Sequence, residues 1–175
     1  LVRITAHNRG PEAATLHLLP TLWFRNTWSW EGNGTERPAL HGIPGGVPLV
    51  IAGHPVLGER LLLCGGAPEL LVTENETNLE RILGVPNRTR WVKDGIGECL
   101  VRGNRAAVNP ANRGTKAAAH YSLDLEPGKS ATVELRFTDT RTAEPFGAGF
   151  AKIVQDRIDD ANDFYATVTP RELTI

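Results

Sequence analysis

The residues from Lys116 to Thr138 constrain this chain more than any others. Ala117, Ala119, Tyr121, Leu123 and Leu125 alternate with polar or small residues, and after Glu126-Pro127-Gly128-Lys129 the alternation resumes at Ala131, Val133, Leu135 and Phe137. A period of two puts one face of a strand against a core and the other toward solvent. Two such runs separated by a Pro-Gly turn predict an antiparallel hairpin over Lys116–Leu125 and Ser130–Thr138. The same period opens the chain: Val2, Ile4 and Ala6 share a face, then Leu16, Leu18, Leu22 and Phe24 follow the turn at 8–12. These segments predict a second hairpin. Pro20 cannot donate to a ladder, so the strand must bend there.

Between these ends, residues 31–48 carry five glycines and three prolines and read as a long loop. Residues 49–52, 60–64 and 69–73 read as short strands, with Gly65-Gly66-Ala67-Pro68 turning between two of them. Thr77 or Asn78 caps a short helix through Leu83, stopped by Gly84 and Pro86. Residues 92–101 read as strand material broken by Asp94-Gly95 and Gly97, with a strand at 98–102. After Pro145 the period changes. Phe146, Phe150, Ile153, Val154, Ile158, Ala161, Phe164 and Tyr165 recur at three and four, the stripe of an amphipathic helix. The predicted architecture is an antiparallel, supersandwich-like β-sandwich over residues 1–145, followed by a helix and linker over 146–175.

Charge and spacing exclude several functions. A net charge of -1 leaves no electrostatic footprint for nucleic acid or an anionic membrane, and no apolar run reaches the ~20 residues of a membrane span. Cys64 and Cys99 are too few for a disulfide framework and read as two buried thiols, which fits a cytoplasmic setting. The five histidines lack metal-ligand spacing, so neither a metal nor a cofactor is expected. Asn33, Asn75 and Asn87 begin Asn-x-Thr sequons, but an Ala-, Arg- and Gly-rich, Lys-poor composition is that of a bacterial chain. Gly114-Thr115-Lys116 looks like the tail of a phosphate loop but enters a strand instead of a helix.

Residues 23–30, Trp-Phe-Arg-Asn-Thr-Trp-Ser-Trp, are the strongest functional signal. Arg25, Asn26, Trp28 and Trp30 combine flat apolar faces with planar hydrogen-bonding groups, the chemistry of a sugar subsite or of a packed domain interface. Paired carboxylates able to serve glycoside hydrolysis are Glu74 with Glu76 and Asp94 with Glu98. The aspartates at 156–163 read as a solvated helix face.

The 23–30 run resembles one in bacterial glucosidases related to glycoside hydrolase family 63, the mannosylglycerate-hydrolase-like group. So do residues 7–14 (His-Asn-Arg-Gly-Pro-Glu-Ala-Ala), 73–78 (Thr-Glu-Asn-Glu-Thr-Asn), 84–87 with 92–95, and 108–111 with 114–121. The resemblance implies an N-terminal β-sandwich in front of an (α/α)6 catalytic barrel. The barrel would hold the acid and base, so no catalytic residue falls in this chain. It also implies a carbohydrate substrate, the barrel as partner, and a chain cut from something longer. A stand-alone carbohydrate-binding, lectin-like module is the alternative.

Overall fold

The computed structural model describes residues 1–30 and 36–170. Residues 2–141 form one compact unit; residues 142–175, with Leu1, form another.

The larger unit contains ten strands: β1 (Val2–His7), β2 (Ala14–Leu18), β3 (Thr21–Trp23), β4 (Ala39–Ile43), β5 (Leu49–His54), β6 (Gly58–Cys64), β7 (Glu69–Thr73), β8 (Arg113–Gly114), β9 (Lys116–Leu125) and β10 (Ser130–Thr138). One sheet runs β1-β10-β6-β5-β4-β8. In the other, β9 pairs with β2 and β3 in succession and also with β7. Every pairing is antiparallel.

The two expected hairpins do not form. β9 and β10 lie in opposite sheets, as do β1 and β2. Instead β1 pairs with β10, from Val2–Leu135 to His7–Ser130, and β2 pairs with β9, from Ala14–Leu125 to Leu18–Tyr121. Residues 8–13 and 126–129 are therefore arches that cross the sandwich together. Asn8 ties them: its N–H donates to the Lys129 carbonyl (2.9 Å), and its own carbonyl accepts from Gly128 N–H (2.9 Å). Its side-chain amide donates to the carbonyls of Leu125 (2.8 Å) and Glu12 (2.7 Å). Alternation specifies only that one face is buried. In a hairpin the two apolar rows lie side by side; here they meet across the core, and the pattern is the same.

That core joins Leu40, Val50, Ala52, Cys64, Val133 and Leu135 of the first sheet to Leu70, Val72, Ala117, Ala119 and Tyr121 of the second. Burial pushes the Cys64 thiol up to about 11. It also raises the Tyr121 phenol, whose O–H donates to the Gly65 carbonyl at 2.9 Å. Both cysteines are buried free thiols. Pro20 lies in the break between β2 and β3, where its carbonyl still accepts from Ala119 N–H (3.0 Å).

Two further expectations are corrected. The run at 31–48 is not loop throughout, because residues 39–43 are β4, between β5 and β8 in the first sheet. The strand expected at 98–102 is instead part of helix α2 (Gly95–Arg102). Ile96, Cys99 and Leu100 have helical spacing, and they cover Leu71 and Ala118 on the outer face of the second sheet. Gly95 has a steric role there: a Cβ would stand 2.2 Å from the Ala107 carbonyl oxygen, in the 3-10 turn Arg105–Ala107. The short helix α1 (Leu79–Leu83) is as expected, capped by Asn78 and ended by Gly84 at φ 68°.

The smaller unit is helix α3 (Ala148–Val168). Lys152–Asp156 (2.8 Å) and Arg157–Asp160 (2.7 Å) lace its polar side. Ile153, Ile158, Phe164, Tyr165 and Val168 remain exposed along it. Among the described residues no helix is long and apolar enough to cross a membrane.

Candidate functional site

The aromatic loop leaves β3 at one end of the second sheet. Phe24 N–H still donates to the Thr115 carbonyl (3.0 Å), holding the chain beside β9. The chain then turns: Thr27 N–H bonds the Arg25 carbonyl (2.9 Å), and Trp30 N–H bonds the Thr27 carbonyl (3.2 Å). Asn26 Oδ1 accepts from Ser29 N–H (3.2 Å), so this amide oxygen shapes the turn. The Arg25 guanidinium lies over the Trp30 ring, 5.2 Å from its centroid, with Trp30 52% exposed.

Trp28 is held differently. Its indole N–H donates to Glu76 Oε1 (3.2 Å), and the guanidinium of Arg37 lies 5.0 Å over its ring. Arg37 also pairs with both Glu74 and Glu76, the second at 3.2 Å. Thr115 Oγ1 donates to Glu74 Oε2 (2.7 Å) and accepts from Asn75 N–H (2.7 Å). Asn75 Nδ2 donates to the Phe24 carbonyl (2.8 Å), closing the ring of contacts back onto the loop. Glu74 and Glu76 are two residues apart beyond the end of β7, and one guanidinium pairs with both. Glycoside hydrolysis needs two carboxyls facing each other across a sugar, ~5 to ~10 Å apart.

Two depressions among the described residues divide the loop residues between them. Arg25 and Trp28 border a depression of 450 Å³, together with Trp23, Phe24, His54 and Leu57. Asn26 borders another of 290 Å³, with Ser29, Glu76, Thr77, Leu79 and Arg88. Trp30 lines neither of these two. In the larger depression, His54 Nδ1 accepts from the N–H groups of Val56 and Leu57, each at 3.1 Å, which leaves the ring proton on Nε2. Trp23, Val56 and Leu57 around it are 55%, 85% and 63% exposed. Sequence reasoning missed Arg37 and His54. Arg37 sits in the run read as loop, and no local pattern marks it for Trp28.

The other motif residues have structural employment. Asp94 accepts from Asn78 Nδ2 (3.2 Å) and pairs with Arg81 (3.3 Å), while Glu98 pairs with Arg102 (3.5 Å). Asn87 Oδ1 accepts from Leu79 N–H (2.7 Å), so the amides of both Asn75 and Asn87 are used inside the fold; Asn33 lies outside the described residues. Asn109 is buried, donating to the Arg113 carbonyl (2.6 Å) and accepting from Ala111 N–H (3.0 Å), a side-chain-stabilised turn. Gly114 lets β8 cross the end of β7, where a Cβ would lie 2.2 Å from the Thr73 carbonyl oxygen. Burial, with Lys93 nearby, lowers the Lys116 ammonium from its usual value; it donates to the Lys93 carbonyl at 2.8 Å.

Over 202 aligned residues the chain is 32% identical to the uncharacterized protein YMR196W of Saccharomyces cerevisiae. The alignment covers 96% of this chain but 19% of that protein's length. No family model matches the chain, and no solved structure matches it.

Proposed function

We propose that this chain is the accessory β-sandwich of a glycoside hydrolase that acts on α-glucosidic or related bonds. It caps a helical catalytic domain and lends the Arg25–Trp30 turn to the rim of the substrate pocket. The observation that carries this reading is the aromatic end of the sandwich. There Trp28 is locked between Arg37 and Glu76, while Trp23, Val56 and Leu57 stay exposed around a 450 Å³ depression. A rigid aromatic face beside an open apolar rim suits docking against another domain. The engagement of Glu74 and Glu76 by one arginine supports a non-catalytic role. The length of the yeast relative is consistent with a chain that works within a larger protein.

The test compares the isolated chain with a longer protein that contains it, on a panel of aryl and disaccharide α-glucosides. The expected result is an inert fragment and an active parent, whose activity falls when Trp23 and Val56 are replaced by serine. Hydrolysis by the fragment would overturn the reading. Sugar binding by the isolated chain that disappears in Trp28→Ala would favour a carbohydrate-binding module instead.

A further inference from the structure

The Arg25–Trp30 turn faces two ways. Arg25 and Trp28 border the larger depression, whereas Asn26 and Ser29 border the one of 290 Å³, with Glu76, Thr77, Leu79 and Arg88. The polar groups around this smaller depression are held in place but only partly used. Glu76 Oε1 accepts from the Trp28 indole (3.2 Å) and pairs with Arg37 (3.2 Å), which fixes a carboxylate that is 14% exposed. Its other oxygen has no partner among the described residues. Asn26 Oδ1 is occupied by Ser29 N–H, which leaves the amide protons on Nδ2 without a partner among them. Thr77 Oγ1 accepts from Lys93 Nζ (3.0 Å) and keeps its own proton to donate. The Ser29 hydroxyl and the Arg88 guanidinium make no hydrogen bond or ion pair with the described residues. Arg88 is exposed, but the backbone around it is anchored. Asn87 accepts from Leu79 N–H (2.7 Å) and donates to Asn78 Oδ1 (2.9 Å), and Trp91 N–H bonds Thr89 Oγ1 (3.3 Å).

This set of groups discriminates among ligands. An anion accepts from Arg88 and Asn26 but meets the unpaired oxygen of Glu76, and a cation that uses this oxygen meets Arg88. A hydroxyl serves both: it donates to a carboxylate and accepts from a guanidinium or an amide, and adjacent hydroxyls on one ring do so repeatedly. Leu79 supplies an apolar wall for ring C–H groups. At 290 Å³ the depression lies at the small end of ligand pockets, which run from about 300 to 1,000 Å³, so it takes one ring and not a chain of them.

We propose that Asn26, Glu76 and Arg88 form a subsite for a single sugar ring, recognised through vicinal hydroxyls and not by stacking on tryptophan. This rests on the reading that the turn rims a substrate pocket, and it divides the turn's work. The apolar side docks, and the polar side meets the sugar.

The experiment titrates the full chain with methyl α-glucoside and follows backbone and side-chain N–H signals by two-dimensional NMR. Saturable shifts are expected in the Asn26 side-chain amide, Ser29, Thr77 and Arg88, with inorganic phosphate failing to compete. Arg88→Ala should weaken binding about five- to tenfold, on the scale of one hydrogen bond from a charged donor. Asn26→Asp keeps the oxygen that accepts from Ser29 N–H, removes the amide donors and should weaken binding by at least about fivefold. Arg90→Ala removes a neighbouring exposed charge that does not border the depression and should leave binding unchanged. Absence of saturable shifts, unchanged affinity in Arg88→Ala, shifts centred on Trp23 and Leu57, or displacement by phosphate would each overturn the proposal. Binding that depends on Arg88, beside a longer protein inert on α-glucosides, supports this subsite and removes the hydrolase reading. An active longer protein beside a chain that shows none of these shifts removes the subsite and leaves that reading standing.

Discussion

Two glycines in one short helix should respond to the same substitution with opposite signs. Gly95 and Gly97 both lie in the first turn of α2, and neither has positive φ. At Gly97 an added Cβ meets nothing within 4 Å, so alanine brings only its better helix propensity, a gain of about 0.5–1 kcal/mol. At Gly95 the Cβ would stand 2.2 Å from the Ala107 carbonyl oxygen and 3.3 Å from Thr73 Cγ2. The first neighbour is backbone. It belongs to a 3-10 turn whose Ala107 N–H bonds the Asn104 carbonyl (3.1 Å), and Asn104 N–H bonds the Glu98 carbonyl (3.2 Å). Relief requires α2 or this turn to move by about an ångström, off Leu71 and Ala118. Overpacking of this kind costs about 1–3 kcal/mol, which exceeds the propensity gain. Gly95→Ala should therefore lower stability by about 1–2 kcal/mol and Gly97→Ala raise it by about 0.5–1, on these packing and propensity scales. Urea unfolding followed by tryptophan fluorescence reads the midpoints, and each kcal/mol should move Tm by about 2–4 °C at this chain length. Equal shifts of the same sign in both variants would refute the close approach of α2 to Ala107.

Three other expectations follow from the packing. Thr73 is fully buried, and its Oγ1 has no hydrogen-bond partner among the described residues, so Thr73→Val should stabilise by about 1 kcal/mol in the same urea assay. The Cys64 thiol is raised in the folded state, so its contribution is present below pH 9 and lost as pH rises through about 11. Stability of the parent should fall over that window, by roughly 2–3 kcal/mol from this group, with Tyr121 acting in the same direction, and Cys64→Ala should show a shallower fall by urea titration at each pH. Arg37→Ala strands Glu74 and Glu76, which are 18% and 14% exposed, and uncovers the Trp28 ring. Because Arg37 itself is 43% exposed, the loss should be about 1–3 kcal/mol, read as an earlier urea midpoint with altered tryptophan emission.

The sequence by itself marked most of the extended segments and, in β9, the apolar face. It also marked where the period changes to that of α3, and that Thr77 or Asn78 starts α1 and Gly84 stops it, the structure choosing Asn78. These are local properties, written in neighbouring side chains and caps. The aromatic loop was legible in the same way, as was the convergence of Glu74 and Glu76. Tertiary structure alone decided the partners. The alternation in β9 and β10 fits a hairpin and an arch equally; the pairing of β10 with β1 and of β9 with β2, joined by Asn8 more than a hundred residues away, makes it an arch. β4 escaped notice because its inward positions are Leu40 and Gly42, and a Cβ on Gly42 would press on Leu70 at 3.3 Å. The core there needs a missing side chain, which no hydrophobic pattern can announce. The same holds for α2, whose glycine-broken sequence becomes helical by packing Ile96 and Cys99 onto Leu71, and for Arg37, brought to Trp28 by the path of the chain. Face and period are encoded one residue at a time, whereas pairing is a competition among distant surfaces that only the assembled core resolves.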